Sequence, residues 1–331
     1  MEGDVIKKQK MLFQMISSAD SIAIIGHRHP DGDCVGSTLG LYNYINENYK
    51  GKNVQVYLEQ FSSCFRFLSG TRKVKHEPLD KHYDLAVSID VSSKDRLGGF
   101  EEIYNKSIST VCIDHHVSNK GFGDLCIIDP NASSACEVLC RMLEEDKISD
   151  KTASCLYLGI VHDTGVFKYS CTGRRTMEIA GMLIEKGAHP ELIIDDTFYK
   201  KTYKQNQLMS RTVLDSTLYE DGKVIVGIIP KEIFKEYKCT NMDTDGIVEQ
   251  LRLTDGVEVA VLAYQLTKKS YKFSLRSKFL VDVSEIATSM GGGGHVRAAG
   301  FETEMDVNEA IEKVISAAKA QLDEDQVDKN K

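Results

Sequence analysis

The chain has 331 residues, 41 basic and 49 acidic, for a formal net charge of −8. That length suits two domains of ordinary size. The negative balance excludes a global attraction for nucleic acid, so a polyanionic substrate has to be held by local positive charge or by metal. The nine cysteines are odd in number and form no Cys-x-x-Cys pair, which argues against a disulfide framework or a zinc ribbon.

Residues 1–20 read as an amphipathic helix, with Ile6, Met11, Leu12, Met15 and Ile16 apolar. They lack the apolar core of a secretory leader, and no stretch reaches transmembrane length. A reducing cytoplasm is the expected location. SIAIIGH, from Ser21 to His27, reads as a strand, followed by a glycine-containing loop and a helix over 35–49. Further strands are expected at 54–58, 84–90, 109–115 and 125–129. Near-continuous apolar runs of this length between helices predict a parallel sheet covered on both faces. Helices follow at 131–146, with Ser133 or Ser134 as cap, at 150–165, and at 174–187, closed by Gly187.

A polar, helical connector covers 191–212. Beyond it, 221–230, 256–266 and 271–277 alternate like strands of a smaller sheet, with a hairpin turn at 268–270. Helices are expected at 244–253, 282–290 and 306–322. The fold class is therefore α/β. A parallel-sheet domain occupies 1–190 and a smaller α/β domain 213–322, with a cleft between them. A charged, disordered tail closes the chain at 323–331.

Four short segments carry the chemistry: GHRHPDGDCVGS (26–37), SIDVSS (88–93), VCIDHHVS (111–118) and GIVHDTGVF (159–167). Each begins apolar and turns to Asp or His. Together they offer His27, Asp31, Asp33, Asp90, Asp114, His115, His116 and Asp163. A lone Asp such as Asp90 or Asp163 is ordinarily a helix cap or a turn residue. Four element ends bearing the same ligand types are not. Carboxylate oxygens mixed with imidazole nitrogens suit a hard or borderline divalent cation. Several shared carboxylates suggest two ions close together, as used in phosphoryl transfer. His27, Asp90 and the triplet 114–116 fall at the carboxyl ends of expected strands, where parallel sheets collect ligands.

The segment SMGGGGHVRAAGFE (289–302) places four glycines before His295 and Arg297. Backbone amides of Gly292, Gly293 and Gly294 can approach an anion closely. With Arg276 and Lys278 at the end of the preceding strand, they suggest a cationic pocket for phosphate, carboxylate or a nucleotide. No Gly-Lys-Ser/Thr follows, so the segment is not a Walker A loop.

These motifs resemble the DHH/DHHA1 phosphoesterases, named for the triplet seen here as Asp114, His115 and His116. HPDGDCVGS is similar to the family's first motif, Asp90 in SIDVSS to the second and Asp163 in VHDTG to the fourth. GGGGHVRAAG resembles the signature of the C-terminal domain. The resemblance covers nearly the whole chain, with the motifs in family order. The short two-domain form is most similar to the bifunctional oligoribonuclease and pAp phosphatase (nanoRNase) group.

That resemblance implies hydrolysis of short oligoribonucleotides to mononucleotides and of 3′-phosphoadenosine 5′-phosphate (pAp) to AMP. Two divalent cations are implied, Mn²⁺ first, with Mg²⁺ or Co²⁺ as alternatives. His27 and Asp31 would hold one. Asp33, His115 and Asp163 would hold the other, and Asp90 would bridge. His116 would face the substrate phosphate, and Asp114 would orient the histidines. Arg276, Gly292, Gly293, Gly294, His295 and Arg297 would grip the rest of the substrate. The alternative is a phosphodiesterase selective for cyclic or linear dinucleotides. A single-strand DNA exonuclease and a non-catalytic nucleotide-binding module stand behind it. The expected partners are short RNA or small nucleotides, with neither a membrane nor a stable complex with long nucleic acid. The sequence leaves the oligomeric state open, a homodimer through apolar faces of the first domain being one form.

Overall fold

The computed structural model describes residues 2–329. Two compact units divide the chain between Lys200 and Lys201, within the stretch expected to be a connector.

The first unit runs α1 (Glu2–Ser18), β1 (Ser21–Ile25), α2 (Gly32–Asn48), β2 (Asn53–Tyr57), β3 (Leu85–Ile89), α3 (Glu101–Lys106), β4 (Ser109–Asp114), β5 (Leu125–Ile128), α4 (Ala135–Cys140), α5 (Asp150–Asp163), α6 (Arg174–Glu185) and α7 (Pro190–Ile194). Its five strands form one sheet in the order β2-β1-β3-β4-β5, parallel throughout. Ile24 of β1 stands opposite Val56 on one side and Val87 on the other. Side chains alternate between two cores, as strand geometry requires. Ile22, Ile24 and Val87 pack with Leu39, Leu156 and Ile160. Ala23, Ile25 and Ala86 meet Tyr57, Tyr83 and Phe100. From β1 the chain passes to β2 on one side and β3 on the other. The carboxyl ends of β1 and β3 therefore flank a topological switch point, where open α/β sheets bind ligands.

The second unit contains α8 (Tyr203–Leu214), β6 (Thr217–Tyr219), β7 (Val224–Ile229), α9 (Lys231–Glu236), α10 (Ile247–Arg252), β8 (Val259–Gln265), β9 (Tyr271–Ser277), α11 (Val283–Ser289), β10 (Gly293–His295), β11 (Ala298–Thr303) and α12 (Val307–Lys329). The sheet order is β10-β11-β9-β8-β7-β6, and only β7–β8 is a parallel pair. That pair needs a crossover, which α9 and α10 supply. One face packs Val261, Phe273 and Leu275 on α11 and α12. The other packs Ile225, Ala260 and Leu262 on Leu208 of α8 and Leu251 of α10.

The structure departs from the sequence reading in four places. α3, β6 and α9 are additional elements. The glycine-rich segment is not an open loop: β10 pairs with β11, with Gly293 opposite Gly300 and His295 opposite Ala298. A Cβ on Gly292 would lie 2.2 Å from the Gly300 carbonyl oxygen, so glycine there permits two backbones to touch. The helix expected over 131–146 is the short α4, after which Met142 N–H donates to the Leu139 carbonyl in a tighter turn. The tail expected to be disordered from 323 continues α12 to Lys329, since LDEDQVDK has no Gly or Pro to stop it. Asn330 and Lys331, also assigned to that tail, lie outside the described residues. Among the described residues no helix is long and apolar enough to cross a membrane.

Candidate metal centre

At the end of β1, Gly26 turns the chain where a Cβ would lie 2.3 Å from Cys34 Sγ and 2.4 Å from Leu58 Cδ2. His27 follows, buried. Its Nδ1 donates to the Arg28 carbonyl at 2.7 Å, which turns Nε2 towards the carboxylates. Nε2 lies 3.4 Å from Asp90 Oδ2 and 3.7 Å from Asp31 Oδ1. Burial works against the charged ring, but these two acceptors outweigh it and raise the pKa far above its ordinary value.

α2 begins in the same loop. Asp31 is its N-cap, and Oδ1 accepts from the amides of Asp33 and Cys34 at 3.1 Å each. Asp33, in the first turn, is fully buried. Its Oδ2 accepts from Ala135 N–H at 2.6 Å and its Oδ1 from Cys136 N–H at 3.0 Å, so the start of α4 fixes it. Burial first, then the charges of Asp163 and Asp90, push its pKa well up.

Asp90 follows β3 in a left-handed conformation, φ +61°, a strain that sites of function tend to store. Its backbone N–H donates to the Ile113 carbonyl at 3.0 Å, tying the turn to β4. Oδ1 is buried and has no hydrogen-bond partner. Burial, partly offset by His27, pushes the carboxyl up to about 6.

β4 ends in the triplet. Asp114 is fully buried; Oδ1 is 2.8 Å from His116 Nδ1, and Oδ2 accepts from Asn119 Nδ2 at 2.6 Å. This fixes the His116 ring with its other nitrogen directed away from Asp114. His115 Nε2 lies 3.1 Å from Asp163 Oδ2, 3.6 Å from Asp90 Oδ1 and 3.9 Å from Asp33 Oδ2. Burial lowers its pKa, but the three carboxylates win and push it up to about 10. His116 Nδ1 is 3.7 Å from Asp90 Oδ1. Asp163 is the last residue of α5.

The eight residues named from the sequence are thus gathered at one edge of one sheet. Asp90 lies at their centre, within 3.4 Å of His27, 3.6 Å of His115 and 3.7 Å of His116. Three overlapping donor groups result: His27–Cys34–Asp90, Asp90–His115–His116 and Asp33–His115–Asp163, each with ligand atoms within 4.8 Å of one another. These donors fit divalent cations. An unpartnered buried carboxylate oxygen beside two imidazoles is expensive unless a cation satisfies it.

Some participants were not foreseen. Asn119 holds Asp114 and also donates to the Val91 carbonyl at 3.0 Å; its only sequence signal is its place in the loop after the triplet. Cys34, next to Asp33, is fully buried and accepts from His27 N–H at 3.3 Å. Burial pushes its thiol up to about 12. His162, beside Asp163, packs against Gly32 and is not among the donor groups. It packs between the rings of Phe65 and Phe198, and burial lowers it to about 4.

In the second unit, Arg276, Ala298 and His295 occupy one row across β9, β11 and β10. Opposed residues share a face, so Arg276 and His295 stand on the same side, about 10 Å apart. His295 and Gly292–Gly294 are exposed. The rest of the expected cationic pocket is otherwise engaged. Arg297 donates to the carbonyls of Val281 and Phe279, and Lys278 to that of Thr254 at 3.1 Å. Arg276 also donates to the Leu275 carbonyl at 2.9 Å.

Comparison with known proteins identifies the family. The profile of the DHH family N-terminal domain matches residues 21–160, and that of the DHHA1 domain residues 221–324. The chain belongs to the DHH/DHHA1 family. Among individual relatives, it is 30% identical to the probable bifunctional oligoribonuclease and PAP phosphatase NrnA of Streptococcus mutans, over 88% of this chain and 92% of that protein. It is 26% identical to the bifunctional oligoribonuclease and PAP phosphatase NrnA of Thermus thermophilus, over 96% of this chain and 95% of that one. An exopolyphosphatase-related protein from Bacteroides fragilis shares the fold, with a TM-score of 0.83 at 24% identity, covering 95% of this chain and 96% of that one.

Proposed function

We propose that this protein is a divalent-metal-dependent phosphoesterase that hydrolyses short oligoribonucleotides to mononucleotides and pAp to AMP. The observation that carries the reading is the buried, unpartnered Oδ1 of Asp90 at the centre of three histidines and four further carboxylates. His27 and Asp31 would hold one cation, and Asp33, His115 and Asp163 the other, with Asp90 shared between them; Mn²⁺ would suit the mixed shell. When bound, the cations supply charge neutralisation for the phosphate and lower the pKa of water.

The chain's own residues do the rest. Asp33 is locked by two α4 amides and cannot swing away. Asp114 anchors His116 through Nδ1, leaving Nε2 to donate a hydrogen bond to a phosphate oxygen and a proton to the departing ester oxygen. Water gives up a proton as it adds to phosphorus, the P–O ester bond breaks, the leaving oxygen takes the His116 proton, and the proton lost by water restores His116. Arg276 and His295, on one face of the second sheet, bind the remainder of the substrate. The similarity to two NrnA proteins over nearly the whole of each chain supports this substrate class. The reading includes a cytoplasmic location.

The test is product analysis with Mn²⁺ on pAp, the dinucleotide pApA, a 5-mer and a 20-mer RNA, with Asp90→Ala as control. Turnover of pAp and short RNA, a slow 20-mer and an inactive variant are expected. Cleavage confined to dinucleotides would replace the reading with a dinucleotide phosphodiesterase. Full activity in Asp90→Ala would dismiss the site.

A further inference from the structure

Most arginines of this chain are committed to partners. Arg141 and Arg175 pair with Asp129, Arg174 with Glu178, Arg211 with Asp215 and Arg252 with Glu249. Arg297 donates to backbone carbonyls, and Arg276, which donates to the Leu275 carbonyl, is assigned to the substrate above. Arg66 and Arg72 differ. Among the described residues neither guanidinium has an ion pair or a hydrogen bond, and both are exposed. In a chain of net charge −8, two arginines left unneutralised side by side are conspicuous.

Both line a single cavity of about 440 Å³, together with Gln60, Phe61, Thr71 and His76. That volume falls in the range of small-ligand sites. His76 donates through Nδ1 to the Leu58 carbonyl at 2.9 Å, which leaves its other nitrogen for a ligand. The half-buried Phe61 ring stands 5.8 Å from the His76 ring. Guanidinium groups beside accessible aromatic faces are the pairing that holds single-stranded nucleic acid, charge on the backbone and stacking on the bases.

The cavity lies at the outer edge of β2. There Lys75 N–H donates to Val56 O at 2.9 Å and Leu58 N–H to Lys75 O at 3.1 Å. Two interactions connect it to the metal centre within the first unit. Glu59, beside Gln60, accepts from His29 N–H at 3.0 Å, in the loop between His27 and Asp31. Phe65, beside Arg66, packs at 5.1 Å on His162, the neighbour of Asp163.

We infer that this cavity is a second anion subsite, which holds the phosphodiester backbone of a single-stranded oligoribonucleotide beyond the nucleotide being cleaved. The inference rests on the substrate class proposed above. A substrate with one nucleoside, such as pAp, does not reach it, whereas an oligonucleotide does.

The experiment compares the full chain with its Arg66→Gln/Arg72→Gln variant. The first readout is binding of a fluorescent 5-mer RNA with metal chelated, titrated with KCl. The variant is expected to bind about tenfold more weakly. The slope of log affinity against log salt should fall by about 1.4, at roughly 0.7 for each single-strand phosphate that is no longer neutralised. The second readout is the ratio of kcat/KM on the 5-mer to that on pAp, expected to fall about tenfold through KM, with Arg66→Lys/Arg72→Lys recovering much of it. Unchanged affinity and salt slope would overturn the inference. So would an equal fall on both substrates, or no 5-mer binding by the parent chain. If the parent binds the 5-mer but cleaves neither substrate, the catalytic reading fails while the binding arm still decides this one.

Discussion

Asp90 concentrates what the metal centre costs the fold. It sits in a left-handed conformation, buried, with an unpartnered oxygen and a pKa pushed up to about 6 from an ordinary 3.8. Below pH 3.8 the group is neutral both folded and unfolded. As pH rises through 6 the folded protein must carry an ionised carboxylate that the unfolded chain solvates better, so stability is lost over that window. Without metal, Asp90→Asn should therefore melt a few degrees above the parent at pH 8, with the difference closing by pH 4. With saturating Mn²⁺ the order should invert if Asp90 is shared between cations as proposed, because the parent then gains binding energy that the variant lacks. Thermal melts with EDTA and with Mn²⁺ at both pH values check this. An equal Mn²⁺-induced rise in both proteins would remove Asp90 from the site.

At the scale of elements, the centre depends on a helix that carries none of its candidate ligands. α4 is six residues long, yet its first two amides immobilise Asp33. Ser134 caps it, Oγ accepting from Glu137 N–H at 3.0 Å. Ser134→Ala should cost about 1 kcal/mol of stability. It should also weaken Mn²⁺ binding several-fold as Asp33 loosens, read by urea unfolding and by metal titration. Loss of stability with unchanged metal affinity would confine the cap to a structural role. The first unit was legible in the sequence because its strands are unbroken apolar runs ending in Asp or His, as in SIAIIGH and STVCIDH. The second was less so. β10 and β11 are built from GGGGHVRAAG, whose glycines carry no strand pattern, because what selects them is contact between backbones. Arg297 read as a ligand-binding cation, and the two carbonyls to which it also donates were not visible in the sequence. Asn119 carried no signal, since its partner Asp114 is brought to it only by the turn after β4.

At the scale of the molecule, every candidate metal ligand belongs to the unit ending at Lys200, while Arg276 and His295 belong to the other. Each unit has its own apolar cores. Residues 1–200 expressed alone should therefore keep a Mn²⁺-induced rise in melting temperature while losing most kcat/KM on oligonucleotides. A fragment that folds but shows no such rise would mean that the second unit completes the metal shell.

The parallel sheet also sets the order of events in the life of the chain. The donors run from His27 to Asp163, and Asp90 reaches its place only when β3 has paired with β4. Nothing shorter than a nearly finished first unit can present more than a fragment of the shell, and parallel pairings of this kind form late. Loading therefore follows folding. A divalent cation would then meet a finished set of donors, and a nascent chain emerging from the ribosome would have little with which to capture one.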